Sequence, residues 1–267
     1  RGHSRRKICF ELPLRLTFPK DEVKGTLFDG VGSIKLGVHC RSDFEDYVPR
    51  EYTNYKIYNM LTPFSFRARL AKATYVDVKS KKVLETRYAM FIEDDDDVAK
   101  RMSGRITDQK DLRFAQVDKD SIVTSTVFEY MISNLDVSLA AQHNMKVVEV
   151  PAGTKYAVPY DFDYSGLVNA SYSQPPPNLQ GIDGRPLESV RVRLYRGPCL
   201  TAPELQPYFD KFQKIKADVM SMFDSLDGLK SGYRSDSKQY LERFYHTIDR
   251  PDQVKKEFID GCKRLSM

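Results

Sequence analysis

The sequence predicts an α+β fold in two lobes: residues 1–92 rich in antiparallel strands with one helix, and residues 93–267 mostly helical. Three observations predict it. Apolar and polar residues alternate repeatedly through the first ninety positions; the acidic stretch "DDDDVAKRMSG" (94–104) then changes the composition; and helical periodicity dominates the remainder of the chain. At 267 residues, the chain is long enough to bury a real hydrophobic core as one large domain or two intimate lobes.

In chain order, "LPLRLTF" (12–18) and "SIKLGVHC" (33–40) read as strands. "VPREYTNYKIYNML" (48–61) reads as a helix: Pro49 suits a first turn, and Tyr52, Tyr55, Ile57 and Leu61 fall near helical spacing. "RARLAKATYVDV" (67–78) and "TRYAMFIE" (86–93) are strands joined by the polar turn "KSKK" (79–82). Residues 121–134, "SIVTSTVFEYMISN", place Ile122, Val123, Val127, Tyr130 and Met131 on one helical face. "MKVVEV" (145–150) and "YAVPYDF" (156–162) form a hairpin around "PAGTK" (151–155), and "NASYSQPPPNLQGIDGRP" (169–186) is irregular. Helices near 203–226, 235–247 and 251–264 close the chain. There is no internal repeat.

Apolar residues make up 41% and charged ones 30%, which excludes a disordered chain. No apolar run approaches the roughly 18 residues that span a bilayer. "RGHSRRKICF" (1–10) has no signal-peptide hydrophobic segment, which leaves a removed leader open. A net charge of +5 suits an anionic ligand such as a nucleotide. Lys/Arg tracts interleaved with aromatics are missing, so no nucleic-acid partner is expected.

Cys9, Cys40, Cys199 and Cys262 include no CxxC, which argues against zinc. An even count permits two disulfides in three connectivities. Pairing Cys9 with Cys40 and Cys199 with Cys262 puts one bridge in each half; four buried thiols are the alternative.

The chemistry concentrates in residues 133–163, where Asp136, Asn144, Asp161 and Asp163 surround the hairpin. With the turn centred on Gly153, Asn144 faces Phe162, between the two acids, on strands about 5 Å apart. An amide oxygen and carboxylates at one end of a ladder make an oxygen cage of the kind Mg²⁺ takes and shares with phosphates. The bland alternative makes Asp136 a helix-terminus cap, Asn144 a turn residue and the acids an exposed strand end. Two other features have plain readings. "DDDD" (94–97) is a solvated helix start rather than a calcium site, and "QPPPN" (174–178) is a surface loop.

The order of charged residues also parallels the kinase pattern of strand lysine, helix glutamate, catalytic Asp with a later Asn, and Asp-Phe-Gly. Lys35 lies in a strand, Glu51 sixteen residues later starts a helix, Asp136 and Asn144 follow a long helix, and "DFD" stands where "DFG" would. No GxGxxG precedes Lys35, no HRD is present, and Asp and Asn are eight apart rather than five. An ordinary eukaryotic-type protein kinase is excluded.

The succession of motifs resembles the CotH family of atypical kinases, named for a bacterial spore-coat protein. "RGHSRR" (1–6) is similar to the family's phosphate loop, "LPLRLTF" and "IKLGVHC" to the strands after it, and "YAMFIEDDDDVAKR" to its hinge and acidic helix start. "SNLDVSLAAQHN" is similar to its N-x-D…H-N loop, and "PYDFDYSG" to its W-D-x-D-x-x-F-G. The likeness covers roughly residues 1–170. Beyond it, helices including "VRVRLYRG" (190–197) look like those of CotH-like proteins.

The resemblance implies a two-lobed protein-kinase-like fold and an ATP- and Mg²⁺-dependent transfer of a phosphoryl group to a protein hydroxyl, usually Ser. Carried over residue by residue, it makes Asp136 the catalytic carboxylate and Asn144, Asp161 and Asp163 the metal ligands. Arg1, Gly2 and Ser4 become phosphate donors, with His3 standing where the family usually has Asn. Lys35 paired with Glu51 grips the phosphates, with Arg15 as its rival, and adenine lies against Phe91 to Glu93. His143 orients the loop through a hydrogen bond. The family generally works outside the cytosol, which tilts the cysteines toward disulfides and the location toward secreted, periplasmic or cell-surface. A non-catalytic scaffold of the same fold, and a sugar or other small-molecule kinase, are the alternatives.

Overall fold

The period-two segments near the N-terminus pair into one antiparallel sheet. The computed structural model describes residues 9, 11–40 and 46–262. Strands β1 (Leu14–Thr17), β2 (Ser33–Val38), β3 (Ala68–Val76) and β4 (Val83–Ile92) lie in the order β1-β2-β4-β3. Helix α1 (Tyr47–Leu61) links β2 to β3. The β3–β4 turn falls on the expected polar residues, closed by the Asp77 amide donating to the Lys82 carbonyl, 2.9 Å.

Helix α2 (Asp95–Arg101) comes directly after β4, its first turn acidic and its N-cap Asp94 accepting from the Asp96 amide. Negative side chains there complement the helix dipole. Helix α3 (Lys119–Ile132) comes next. A second antiparallel sheet in the order β5-β6-β7 is built from β5 (Arg105–Ile106), β6 (Met145–Glu149) and β7 (Lys155–Pro159). The closing helices are α4 (Ala202–Lys214), α5 (Lys216–Ser225), α6 (Ser231–Ile248) and α7 (Pro251–Val254), which runs on through a π-helical stretch, Lys255–Asp260. The architecture is α+β with antiparallel sheets. One apolar core runs from Tyr55, Ile57 and Met90 beside the first sheet, through α3 and β6, to Phe209, Phe244 and Phe258 of the last helices. Leu36, Val38 and Ala89 form a small satellite on the sheet's other face, with Leu16, Ala73 and Phe91 against it.

Four expectations are corrected. Helix α3 does not bury one face alone, because every residue from Ser121 to Ile132 is buried. Its hydroxyls return their protons to the helix, Ser125 Oγ to the Ile122 carbonyl (3.1 Å) and Thr126 Oγ1 to the same carbonyl (2.8 Å), so polar positions pack as apolar ones. The single helix expected at 203–226 is two, broken at Ile215. Residues 190–197 are not helical: they form an irregular strap over the end of α3. Ser133 Oγ donates to the Val190 and Val192 carbonyls at 2.8 and 2.7 Å, and Arg193 donates to the Met131 carbonyl while its guanidinium lies 3.8 Å from the centre of the Tyr240 ring.

The fourth concerns the hairpin register. Met145 pairs with Pro159, and Asn144 stands opposite Tyr160, whose amide donates to its carbonyl at 3.0 Å, not opposite Phe162. The turn is responsible. Val150 and Thr154 still pair (3.0 Å), and Gly153, at φ 82°, closes a tight three-residue loop centred one residue earlier than expected.

The cysteines pair as Cys9–Cys40 and Cys199–Cys262, one bridge in each half. Among the described residues, no helix is long and apolar enough to cross a membrane.

Candidate functional site

Asp136 lies in the loop after α3, and that loop is set by local backbone chemistry. Helix α3 ends at Ser133 in a left-handed conformation, φ 53°, and the Asn134 amide returns to the Glu129 carbonyl at 2.8 Å. The Asn134 side chain then accepts from the Asp136 amide at 3.2 Å. Between Asp136 and Asn144 the loop is closed by reciprocal backbone bonds of Ser138 and His143, both 3.0 Å.

Three predicted residues meet there. His143 Nε2 lies 3.0 Å from Asp136 Oδ1, the orienting bond expected of it. Asn144 Nδ2 donates to the Asp136 carbonyl (2.7 Å) and to Asp136 Oδ2 (3.0 Å). Asn144 itself is buried, with φ 51°, a left-handed conformation that Asn tolerates better than most residues. Tyr160 opposite Asn144 leads straight to Asp161, also left-handed at φ 61°, whose amide donates to the Tyr55 hydroxyl at 3.0 Å.

Helix α1 fastens this acidic segment to the rest of the fold. Besides Tyr55, Asn54 Nδ2 donates to Ser165 Oγ (2.9 Å) and Arg50 to the Val168 carbonyl (3.1 Å). The far side is tied to α3, with the Gly166 and Leu167 amides donating to the Ser133 and Ile132 carbonyls, each 3.0 Å. Gly166 is required there, since a Cβ would stand 2.6 Å from the Val190 carbonyl oxygen. Burial pushes the Tyr55 hydroxyl well above its ordinary pKa, and the nearby charges of Glu51 and Asp161 add to the shift. Asp163 is buried and its Oδ2 accepts from the Tyr172 hydroxyl at 3.2 Å.

Lys35 is corrected. Its ammonium does not pair with Glu51 but bonds Asp95 at the start of α2. The register explains this: Lys35 pairs with Ile92, and the chain turns into α2 three residues on. Lys146 of β6 reaches the other oxygen of Asp95 at 3.1 Å. Both ammonium groups lie over the Tyr160 ring, 5.5 and 5.6 Å from its centre. Burial raises the Asp95 pKa, but the bonds and charges of Lys35 and Lys146 outweigh it and hold the carboxyl below its usual range. Glu51 is buried on α1.

Arg15 bonds Ser33 and, at 2.5 Å, Asp94. Glu93 accepts from both edges of the Arg101 guanidinium at 3.0 and 2.9 Å, and its side chain also accepts from the Arg67 amide at 2.9 Å. Phe91 points away from Lys35, into the satellite cluster, because adjacent strand residues face opposite sides. Arg1, Gly2 and Ser4 lie outside the described residues.

Sequence reasoning missed Asp95, Lys146, Tyr160 and Tyr55. Asp95 was hidden in an acidic run that reads as solvated.

Asn144 and Asp161 carry oxygen donors of the kind a hard cation takes. Both amide hydrogens of Asn144 are committed to Asp136, so its Oδ1 is the atom able to face a ligand. Among the described residues no three His, Cys, Asp or Glu gather where they could hold a metal ion. Comparison with models of known protein families and with curated proteins finds no match.

Proposed function

We propose that this protein is a CotH-like atypical kinase with a two-lobed kinase-like fold, moving the γ-phosphoryl group of Mg·ATP to a hydroxyl, usually a protein Ser. One observation carries the reading: Asn144 holds Asp136 with both amide hydrogens and stands opposite Tyr160, the neighbour of Asp161. That binds the acid and the amide into one hydrogen-bonded unit and sets the second acid next to the residue opposite the amide.

Asp136 keeps 38% of its side chain exposed and borders a shallow groove with Tyr164, Gln174 and Pro175. An acceptor hydroxyl approaching from that groove meets a carboxylate whose orientation His143 and Asn144 have already set. The hydroxyl proton passes to Asp136 as its oxygen bonds the γ-phosphorus and the bond to the β-phosphate oxygen breaks, releasing ADP. Asn144 Oδ1 and Asp161, with Asp163 behind them, would hold Mg²⁺, which when bound neutralises and aligns the phosphates. Lys35 and Lys146 add positive charge beside Tyr160, where the triphosphate would lie. The two disulfides suit an oxidising, extracytoplasmic setting.

Thermal-shift titration with Mg·ATP, followed by transfer of labelled γ-phosphate to a mixed protein acceptor, tests the reading. Stabilisation and transfer are expected, with Asp161→Ala losing both and Asp136→Ala keeping the stabilisation while losing transfer. Nucleotide binding without transfer indicates the non-catalytic scaffold; transfer only to sugars indicates the small-molecule kinase. No stabilisation by nucleotide at any Mg²⁺ concentration overturns the assignment.

A further inference from the structure

The hairpin of β3 and β4 runs past the rest of its sheet. Strand β2 pairs with β4 only as far as Ala89, so from Tyr88 back to Val83 β4 pairs with β3 alone. A two-stranded ribbon is marginal in water without an apolar face to bury. Its tip nevertheless leaves Val76, Val78, Val83 and Leu84 between 47% and 79% exposed. Val76 stands opposite Val83, where the register shifts, so the aliphatic side chains occupy both strands of the tip.

Positive charge surrounds that apolar end. Lys79, Lys81 and Lys82 are all exposed in the turn, and Lys81 holds a left-handed backbone, φ 58°, where Gly or Asn would fit at lower cost. The nearby acids are turned to the protein. Asp77 Oδ1 accepts from the Ser80 amide at 2.5 Å, while Glu85 is held by Arg87 at 2.9 Å and faces His39 at 3.3 Å. Apolar side chains scattered singly over a surface need no explanation, but four at one projecting tip rimmed by lysines mark an interaction site. A ribbon end is a shape that enters a soft surface. An anionic bilayer offers both complements at once: an apolar boundary for short aliphatics and negative headgroups within reach of lysines whose stems lie along it.

We propose that the β3–β4 tip docks the protein on an anionic lipid surface, inserting Val76, Val78, Val83 and Leu84 at the headgroup boundary while Lys79, Lys81 and Lys82 bind lipid phosphates. Each lysine strengthens partition about fivefold, so three contribute on the order of a hundredfold over a neutral surface. The aliphatic side chains set the depth. Strand β4 has Val83 at the tip and Ile92, opposite Lys35, at its far end, ten residues and roughly 30 Å away. A tip docked end-on therefore keeps Lys35 and Asp95 well clear of the lipid and open to solution. This surface is independent of the nucleotide reading and survives its failure.

The test is cosedimentation of the intact chain with phosphatidylcholine vesicles, plain or carrying phosphatidylglycerol. Partition onto the anionic vesicles is expected to exceed that onto neutral ones about a hundredfold. Lys79→Gln with Lys81→Gln and Lys82→Gln should remove that preference. Lys20→Gln with Lys24→Gln and Lys214→Gln, the same loss of charge at exposed lysines elsewhere, should leave most of it. Val78→Ser with Leu84→Ser should weaken binding about tenfold, with Tm unchanged because both side chains are exposed. The chain has no Trp, so Val78→Trp places a single reporter at the tip, whose emission should shift to the blue on anionic vesicles. Leu27→Trp, on the exposed β1–β2 loop at the other end of the sheet, should show no shift. Equal binding to both vesicles, binding unchanged in the tip lysine or serine variants, or an unmoved Val78→Trp emission overturns the proposal. So does binding to soluble polyglutamate with none to vesicles, which assigns the tip to an acidic protein partner.

Discussion

Asn144 spends both of its amide hydrogens on Asp136, one on the backbone carbonyl at 2.7 Å and one on Oδ2 at 3.0 Å. The pair closes an eight-residue loop whose other carboxylate oxygen is held by His143. The role proposed for Asp136 and the stability of this loop therefore depend on the same two bonds.

Asn144→Ala deletes both bonds, each worth about 1 kcal/mol net, and leaves a left-handed backbone that alanine tolerates less well than asparagine, at up to about 1 kcal/mol more. A loss of about 2–3 kcal/mol in urea unfolding is expected. Asn144→Gly should recover the backbone part but not the hydrogen bonds. If both variants fall equally, the left-handed geometry carries no cost. Asn144→Asp sets a carboxylate in place of a donor against Asp136 and should destabilise more than Asn144→Ala at neutral pH.

Lys35 and Lys146 share Asp95, so removing the acid leaves two half-buried cations facing each other over Tyr160. Asp95→Asn should cost about 1–2 kcal/mol, below the range for a fully buried pair broken on one side because these groups keep partial solvent contact. Lys35→Met and Lys146→Met should each weaken Mg·ATP stabilisation by tenfold or more. Loss of nucleotide response in Lys146→Met with none in Lys35→Met would move the phosphate-gripping role from β2 to β6.

The boundaries of these elements were legible because they depend on local chemistry: strand alternation, the polar turn before Lys82, the acidic start of α2. The disulfide pairing was one of the sequence alternatives. What escaped depends on tertiary placement. The register of β6 and β7 turned on how three residues close around Gly153, which shifts Asn144 from Phe162 to Tyr160. Lys35 met Asp95 instead of Glu51 because β4 passes into α2 beside it, a proximity in space that spacing along the chain does not encode. Nothing in the sequence singled out Glu129, and only packing on every side of α3 makes it a buried acid.

The two bridges close stretches separated by 31 and 63 residues. Chain-entropy reasoning assigns each about 4 kcal/mol, drawn from the unfolded state. Reduction under native conditions should therefore lower Tm strongly. Cys199→Ser with Cys262→Ser should cost at least as much as Cys9→Ser with Cys40→Ser, since its loop is longer. Denaturant melts of the two double variants check the order, and a reversed order would show that native-state contacts, not loop length, dominate.

Glu204 completes a capping box at the start of α4, accepting from the Thr201 amide and hydroxyl, both at 2.9 Å, while Lys119 of α3 donates to its other oxygen at 3.0 Å. The backbone bond from Thr201 does most, with Lys119 and the Thr201 hydroxyl after it, to lower the carboxyl to about 2. A depressed folded-state value means the unfolded chain binds the proton more readily. The stabilisation is thus fully present above the unfolded value near 4.5 and is lost as pH falls toward 2. Glu204→Gln can keep a hydrogen bond to Thr201 but cannot ionise, so its stability should fall less steeply than the parent's across that window and lie closest to the parent's at the acid end. Urea midpoints measured from pH 5 to pH 2 on both proteins check this. Parallel curves would mean that the carboxyl titrates alike in the folded and unfolded chains, and that the box holds α4 through geometry alone.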